Sequence, residues 1–541
     1  VSHTLRIVNG RVWTGTAAQP RAEAVAVRGD RILAVGTNGD ILRAAPAAEE
    51  IDARGGLVVP GFIDAHLHLL AGGFRLTSVQ LRGVASREAF VSTLREFAAT
   101  RPSGAWISGG DWDHESWGGE LPTRAWIDDA TREHPVWLTR LDSHMALANS
   151  AALHLASVSA GTPDVPGGAI VRDAAGVPTG LLKDNAMRLV ERVVPAPSAS
   201  EEDAALDVAM DYVTAQGVTS IHHMGSLPPG GTWHELDVFR RARDRGSLRV
   251  RIHSTVPLET WERLAAAIAS GVLGGPDGRG DEWLRIGSLK SFVDGSLGAR
   301  TAAFHEPYAD RPDECGLLVN DPDRLRRWMV DADTAGLQLA THAIGDRANT
   351  LLLDLLADVI RANGARDRRF RVEHAQHLRA ADVPRFGALG ATVSMQPYHA
   401  IDDGRWAERA IGAARLPCSY AWRSLADSGA RLAFGSDWFV APATPLEGLD
   451  AAVNRRTLDG RHPAGWHSAQ RLSLDEALHA YTTGAAYAVF EEGLKGRLAP
   501  GLLADVTVID RDLFAFPAEE IPRASIAATI VGGTVVYRQP R

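Results

Sequence analysis

Val58-Val-Pro-Gly-Phe-Ile-Asp-Ala-His-Leu-His68 is an apolar run that ends in two histidines one residue apart. Side chains two apart on a β-strand leave the same face. His66 and His68 therefore reach toward one point at the end of the strand, and imidazole is a common ligand for zinc-like ions. Seven further apolar runs each close on a polar residue fit for chemistry: Val218 to His223, Leu248 to His253, Leu284 to Asp294, Leu337 to His342, Phe370 to His374, Ala391 to Gln396 and Arg431 to Asp437. Amphipathic stretches, such as 323–335 and 349–362, separate most of them. This alternation predicts a parallel sheet with outer helices. Eight such strands predict an α/β fold of the (β/α)8 TIM type, whose reactive groups sit at the C-terminal strand ends.

Outward from the barrel, both ends of the chain read as short strands. Leu5 to Trp13 alternates around Asn9-Gly10, and Ala24 to Gly36 turns at Gly29-Asp30. Ala504 to Asp510 and Ile526 to Tyr537 repeat the form. Neither end has enough strands for a sandwich alone. Together they predict one small β-sandwich domain, from residues 1–58 and 491–541, around a barrel domain at 59–490; two separate hairpins capping the larger domain are the alternative. About 150 residues separate the first barrel run from the second, so residues 70–215 are expected to form a large insertion over the barrel mouth. Trp106, Trp112, Trp117, Trp126 and Trp137 lie close together within it. They either line an apolar substrate pocket or pack the insertion's own core.

Bulk properties exclude several classes. The chain has 541 residues and a net charge of −9 with no basic block, which argues against nucleic acid as a partner. Cys315 and Cys418 make no disulfide framework and no CxxC zinc site. No signal-peptide pattern and no long apolar stretch is visible, so a cytoplasmic protein without a membrane partner is expected. Of 57 basic residues three are lysine, Lys183, Lys290 and Lys495. In a chain that writes arginine almost everywhere, a surviving lysine is informative, because lysine can lose its proton and arginine cannot.

The motif around His66 resembles the first-strand signature of the amidohydrolase superfamily. Thr341-His-Ala-Ile-Gly-Asp-Arg-Ala-Asn349, Val372-Glu-His-Ala-Gln376 and Gly435-Ser-Asp-Trp438 resemble its YtcJ-like branch, which includes N-substituted formamide deformylases. The resemblance spans nearly the whole chain. It implies a binuclear metal centre: His66, His68 and Asp437 on one ion, His342 and His374 on the other, and Lys290 bridging both as a carbamate formed with CO2. Two cations about 3.5–4 Å apart repel, and a bridging anion offsets that. Zinc is the first expectation, with iron, manganese and nickel suited to the same donors. Asp437 is expected to shuttle the proton from water to the leaving group, and His144, in Leu141-Asp-Ser-His-Met-Ala146, to steady the carbonyl oxygen. Trp112, Asp294 and His399 are the substrate-binding candidates. His222, His223 and His253 end strands too and read as structural.

The expected reaction is hydrolysis of a C–N bond, in an N-acyl or N-formyl amide with an apolar or aromatic part, by metal-activated hydroxide. The expected partner is a small-molecule substrate, with a homodimer as the working expectation for the assembly. A one-metal deaminase of the same superfamily is the nearest rival. Such enzymes typically carry a glutamate as HxxE, and neither His342 nor His374 is followed that way. Esters and lactones are open to the same chemistry. A metal-free scaffold predicts missing ligands, and a carbohydrate-binding module with aromatic platforms does not account for the ordered His, Lys, His, His, Asp series.

Overall fold

The computed structural model describes residues 3–225 and 231–540. Eight parallel strands form one sheet: β1 (Phe62–Leu67), β2 (Val218–His223), β3 (Arg251–Pro257), β4 (Leu284–Phe292), β5 (Gln338–Ala343), β6 (Arg371–His374), β7 (Thr392–Met395) and β8 (Arg431–Phe434). They are hydrogen-bonded in chain order from β1 to β8. Helices such as Ala199–Ala215, Pro322–Thr334 and Asp346–Asn363 lie between them, and their apolar faces join the barrel's core through Leu206, Met210, Met329, Leu352 and Leu356. The apolar runs of the sequence thus become the staves of a TIM-type barrel.

Two runs differ in detail. The apolar lead into β1 is broken at Pro60-Gly61, and its first half, Leu57–Pro60, pairs antiparallel with Val506–Ile509 in another sheet. Gly61 permits the break, because a Cβ there would lie 2.1 Å from Thr219 Oγ1. The third run begins later and continues to Pro257, which leaves His253 in mid-strand beside Glu491 rather than at the mouth.

The two ends of the chain meet in a sandwich. A four-stranded sheet (Arg31–Gly36, Ala24–Arg28, Thr4–Val8, Glu49–Asp52) faces a six-stranded one that joins Leu57–Pro60 and Arg11–Trp13 to Val506–Ile509, Ile526–Val531 and Thr534–Arg538. Leu5, Ile7 and Val25 share one core with Val58, Val506 and Ile530. Arg251 at the start of β3 ties this unit to the barrel through a bidentate pair with Asp505, at 2.7 and 3.0 Å. Between β1 and β2 the chain builds a six-stranded sheet of its own, from Val79–Gln80 to Pro178–Asp184, over a core of Leu81, Phe90, Trp112, Trp126 and Leu138.

The barrel closes where β8 returns to β1. The Asp437 amide donates to the His66 carbonyl at 2.6 Å, and the His68 amide to the Trp438 carbonyl at 2.7 Å. Asp64 locks the joint from inside. Its Oδ1 accepts the amides of Ser436 (2.9 Å) and His66 (3.1 Å), and its Oδ2 accepts the Ser436 hydroxyl (2.5 Å). Gly435 is required by the close approach, since a Cβ there would lie 2.5 Å from the His66 nitrogen and 2.7 Å from Asp64 Oδ1. Gly435→Ala is expected to lower stability by about 1–3 kcal/mol through this overpacking. Ser436→Ala, which leaves Asp64 short of a donor, is expected to cost about as much. Thermal unfolding with chelator in every sample checks both, and unchanged midpoints would remove the seam as a structural determinant.

Candidate metal centre and substrate cavity

The strand ends converge on a cavity of about 1110 Å³ bounded by the barrel mouth and the insertion. His66, His374 and Asp437 place ligand atoms within 4.8 Å of one another at its floor. β1 carries His66, β6 ends in His374, and Asp437 stands three residues beyond β8. His374 and Asp437 both sit in the left-handed region, at φ +74° and +60°. Such strain persists where the surroundings over-determine it, as the seam bond from Asp437 to His66 does here.

Hydrogen bonds set the tautomers. His66 Nδ1 lies 2.7 Å from Glu373 Oε2, and His374 Nδ1 lies 2.9 Å from Gln396 Oε1. A carboxylate or amide oxygen only accepts, so each Nδ1 is protonated and each Nε2 keeps its lone pair. His68 follows the same rule, with Nδ1 donating to the Gly225 carbonyl and Nε2 3.1 Å from Asp437 Oδ1. His66 Nε2 lies 3.5 Å from Asp437 Oδ1 and 3.5 Å from Lys290 Nζ. His342 is the exception. Its Nε2 donates to the Gly295 carbonyl at 3.0 Å, which leaves Nδ1 as its lone-pair nitrogen, and its ring centroid is 4.6 Å from that of His374. The structure thus brings His66, His68, Lys290, His342, His374 and Asp437 to one cavity.

The protonation states suit cation binding. Burial, and next the Lys290 charge, lower His66 to about 4. Burial likewise holds His342 and His374 well below the ordinary imidazole value. Burial works against the Asp437 carboxylate, yet His66, His68 and His374 together hold it well below the usual range. Lys290 is lowered to about 8 by burial, against the pull of Glu373 and Asp437. Neutral imidazoles, an ionised carboxylate and an amine close to losing its proton form a donor set for a divalent cation. Among the described residues Asp437 Oδ1 and His399 Nε2 find no hydrogen-bond partner, although both are buried.

The remaining expectations divide. His144 lies at the cavity wall, its Nδ1 donating to Asp184 Oδ1 at 2.6 Å. Burial opposes its charge, but the Asp184 bond and the charges of Asp184, Asp142 and Asp294 raise its pKa. His399 also lines the cavity, with Nδ1 accepting from Gln376 at 3.3 Å and Nε2 4.0 Å from Asp437 Oδ2. Trp112 and Asp294, however, are corrected as substrate ligands. Trp112 is fully buried in the insertion's core, where its Nε1 donates to the Leu138 carbonyl at 2.8 Å. Trp117 and Trp126 pack there too, whereas Trp106 and Trp137 reach the cavity. Asp294 is fully buried and spends its acceptors on the amides of Ala303, Ile344 and Gly345, at 2.8, 3.0 and 2.9 Å.

Sequence reading missed the residues behind the ligands. Glu373 holds His66 and is itself held by Arg371, at 2.8 Å. Burial would raise its carboxyl, but Arg371 and then His66 keep it far below the usual range. Arg371 also donates to the Ala65 carbonyl (2.6 Å) and His222 Nδ1 (2.9 Å), which makes His222 structural. His223, bonded to Glu235 at 3.0 Å, is structural as well. All three lysines are buried, Lys183 on the Ala299 carbonyl and Lys495 between Ser220 and Glu491. Among the described residues no helix is long and apolar enough to cross a membrane.

Comparison with known proteins places this arrangement. Residues 49–537 match the amidohydrolase family. The chain is 40% identical over 542 residues to Protein LONG AFTER FAR-RED 3 of Arabidopsis thaliana, covering 98% of this chain and 91% of that one. It is 31% identical to the putative amidohydrolase YtcJ of Bacillus subtilis, covering 98% of each. It is 30% identical to N-substituted formamide deformylase of Arthrobacter pascens, covering 99% of this chain and 98% of that one. Among solved structures, a metal-dependent hydrolase of Pyrococcus horikoshii superimposes with a TM-score of 0.75 at 28% identity, over 95% of this chain and 99% of that one. A barrel with these strand-end ligands, matched along nearly its whole length, belongs to the amidohydrolase family, in its YtcJ-like branch.

Proposed function

We propose that the protein hydrolyses a carbon–nitrogen bond in a small N-formyl or N-acyl amide whose remaining part is apolar or aromatic. The observation that carries this reading is the set of ligand atoms from His66, His374 and Asp437 within 4.8 Å at the floor of a large cavity. His66, His68 and Asp437 would hold one divalent ion, and His342 and His374 a second, zinc being the first candidate. Lys290 would bridge them: its neutral amine adds to CO2, an N–C bond forms, and one proton leaves to give a carbamate anion. When bound, such ions polarise a carbonyl and lower the pKa of water.

The chain's own residues supply the rest. Asp437, ionised and exempt from hydrogen bonding at Oδ1, is placed to take a proton from water and pass it to the departing nitrogen. His144, whose pKa Asp184 raises against burial, would in its protonated form be a donor for the carbonyl oxygen as negative charge develops there. The unpartnered Nε2–H of His399 is a second donor for substrate. Trp106, Trp137, Phe74 and Phe439 give the cavity an apolar wall for the rest of the molecule. The deformylase relative supports the amide assignment. The Arabidopsis relative, whose name describes no chemistry, keeps a metal-free scaffold as the second reading.

Metal analysis of protein purified without chelator separates these. The wild type is expected to carry about two ions per chain, and Lys290→Ala fewer. One ion in both would remove the bridge, and none after incubation with zinc or manganese and bicarbonate would leave the scaffold. On a panel of amides and matched esters, Asp437→Asn is expected to lower kcat by about 10²–10⁴-fold. His144→Gln is expected to lower kcat by about 10²-fold with KM little changed. A His144 variant that raised KM alone would reassign it to ground-state binding.

A further inference from the structure

The cavity wall carries many carboxylates, and almost all are already matched. Asp113 and Asp142 each lie 2.7 Å from Arg140. Asp402 pairs with Arg405, and Asp403 accepts the Tyr420 hydroxyl at 2.6 Å. Nearer the segment at 195–202, Glu202 holds Arg241 at 2.9 Å, and Glu201 is taken up in the cap of its own helix.

Glu191 is different. It ends the short helix Arg188–Glu191 of the insertion, is 7% exposed, and lines the cavity, yet among the described residues its carboxylate makes no hydrogen bond or ion pair. Trp106, Trp137, Met187, Val194 and Pro195 line the same cavity, and the first four belong to one apolar cluster with Val190, the residue before Glu191. Burial holds its carboxyl up at about 7, and the charge of Arg188, an exposed residue of the same helix, offsets this in part. A buried carboxylate without a partner is costly, and natural proteins keep one where something else completes it.

The geometry points to Glu191 as the acceptor of a cationic group, a protonated amine carried by the substrate's apolar portion, in a subsite walled by Trp106, Trp137 and Met187. The inference rests on the cavity being the substrate cavity of the proposed hydrolase and narrows the substrate class from apolar amides to amides that carry a basic amine. The indoles of Trp106 and Trp137, in the same cluster, would favour a cation further. The ligand set and the subsite then divide the work: the strand ends hold the carbonyl, and the insertion selects what is attached to it.

The test is equilibrium binding to the full chain, read by tryptophan fluorescence and calorimetry. The probes are an N-(phenylalkyl)formamide and the same compound with an aminomethyl group on the ring, at a mildly alkaline pH where the alkylammonium is still charged. The wild type is expected to bind the amine-bearing probe about tenfold more tightly than the neutral one, the scale of a charge-assisted hydrogen bond. Glu191→Gln, nearly the same size, is expected to bring the two close to parity, and Glu191→Leu to favour the neutral probe; melting temperatures confirm that both variants are folded. A preference that survives both substitutions, or wild-type protein that shows none, overturns the subsite. Turnover of the same probes keeps the two readings apart. Hydrolysis without a Glu191-dependent preference retains the amidase and discards the subsite, whereas a Glu191-dependent preference without hydrolysis retains the subsite and discards the amidase.

Discussion

Three acceptor bonds to one buried carboxylate determine where the proposed metal ligands stand. Asp64 binds the amides of His66 and Ser436 and the Ser436 hydroxyl, and so ties the end of the first strand to the loop after the last. A barrel must close somewhere, and its closing joint is where register is least assured by neighbouring ladders. Here the joint and the candidate metal centre coincide. His66, His68 and Asp437 lie on its two sides, so a slip of the seam would separate the ligands. Burial lifts the Asp64 carboxyl to about 7, which shows how much hydrogen bonding is needed to keep it in place.

A second layer repeats the logic with charge. Arg371, Glu373 and His66 form a chain of buried contacts at 2.8 and 2.7 Å, with the guanidinium also fastened to the Ala65 carbonyl. Removing either partner of such a pair costs about 3–5 kcal/mol, because the other is left as an uncompensated buried charge. What the chain obtains is orientation: an imidazole whose Nδ1 is committed presents Nε2 in one direction. Gln396 does the same for His374 with a neutral group.

The parts of this plan that follow periodicity were legible in the sequence. His66 and His68 announce themselves by a spacing of two after an apolar lead, and the polar ends of the other runs mark the barrel mouth. The supporting residues were not legible, for reasons that can be named. Glu373 precedes His374 directly, and strict alternation would put the two on opposite faces. The positive φ of His374 breaks that alternation, so both reach the region of His66. Asp64 lies inside the quoted motif, but its partner is 372 residues away. Asp294 ends an apolar run as ligands do, yet backbone amides from two other segments consume its oxygens. Tryptophan clustering did not separate core from cavity because both are apolar; Trp112 is enclosed in one apolar cluster of the insertion, while Trp137, buried in another, also borders the cavity.

The insertion leaves the barrel at the most sensitive point. The helix Leu69–Leu76 begins immediately after His68, and its Gly72 lies so close to Trp438 that a Cβ would meet the indole at 2.4 Å. Trp438 is the residue after Asp437 and accepts the His68 amide. Displacement of the insertion would therefore reach the seam through this contact and through Arg82, which donates to the Phe439 and Val440 carbonyls. Interiors this close-packed do not absorb such shifts locally. Changes that widen or reshape the cavity wall are best made in its interior, around Trp106, Trp137 and Glu191, and away from the helix that anchors it. On the proposed reading, selectivity and chemistry are separable in residues but coupled at this helix, since the fold itself does not dictate the substrate.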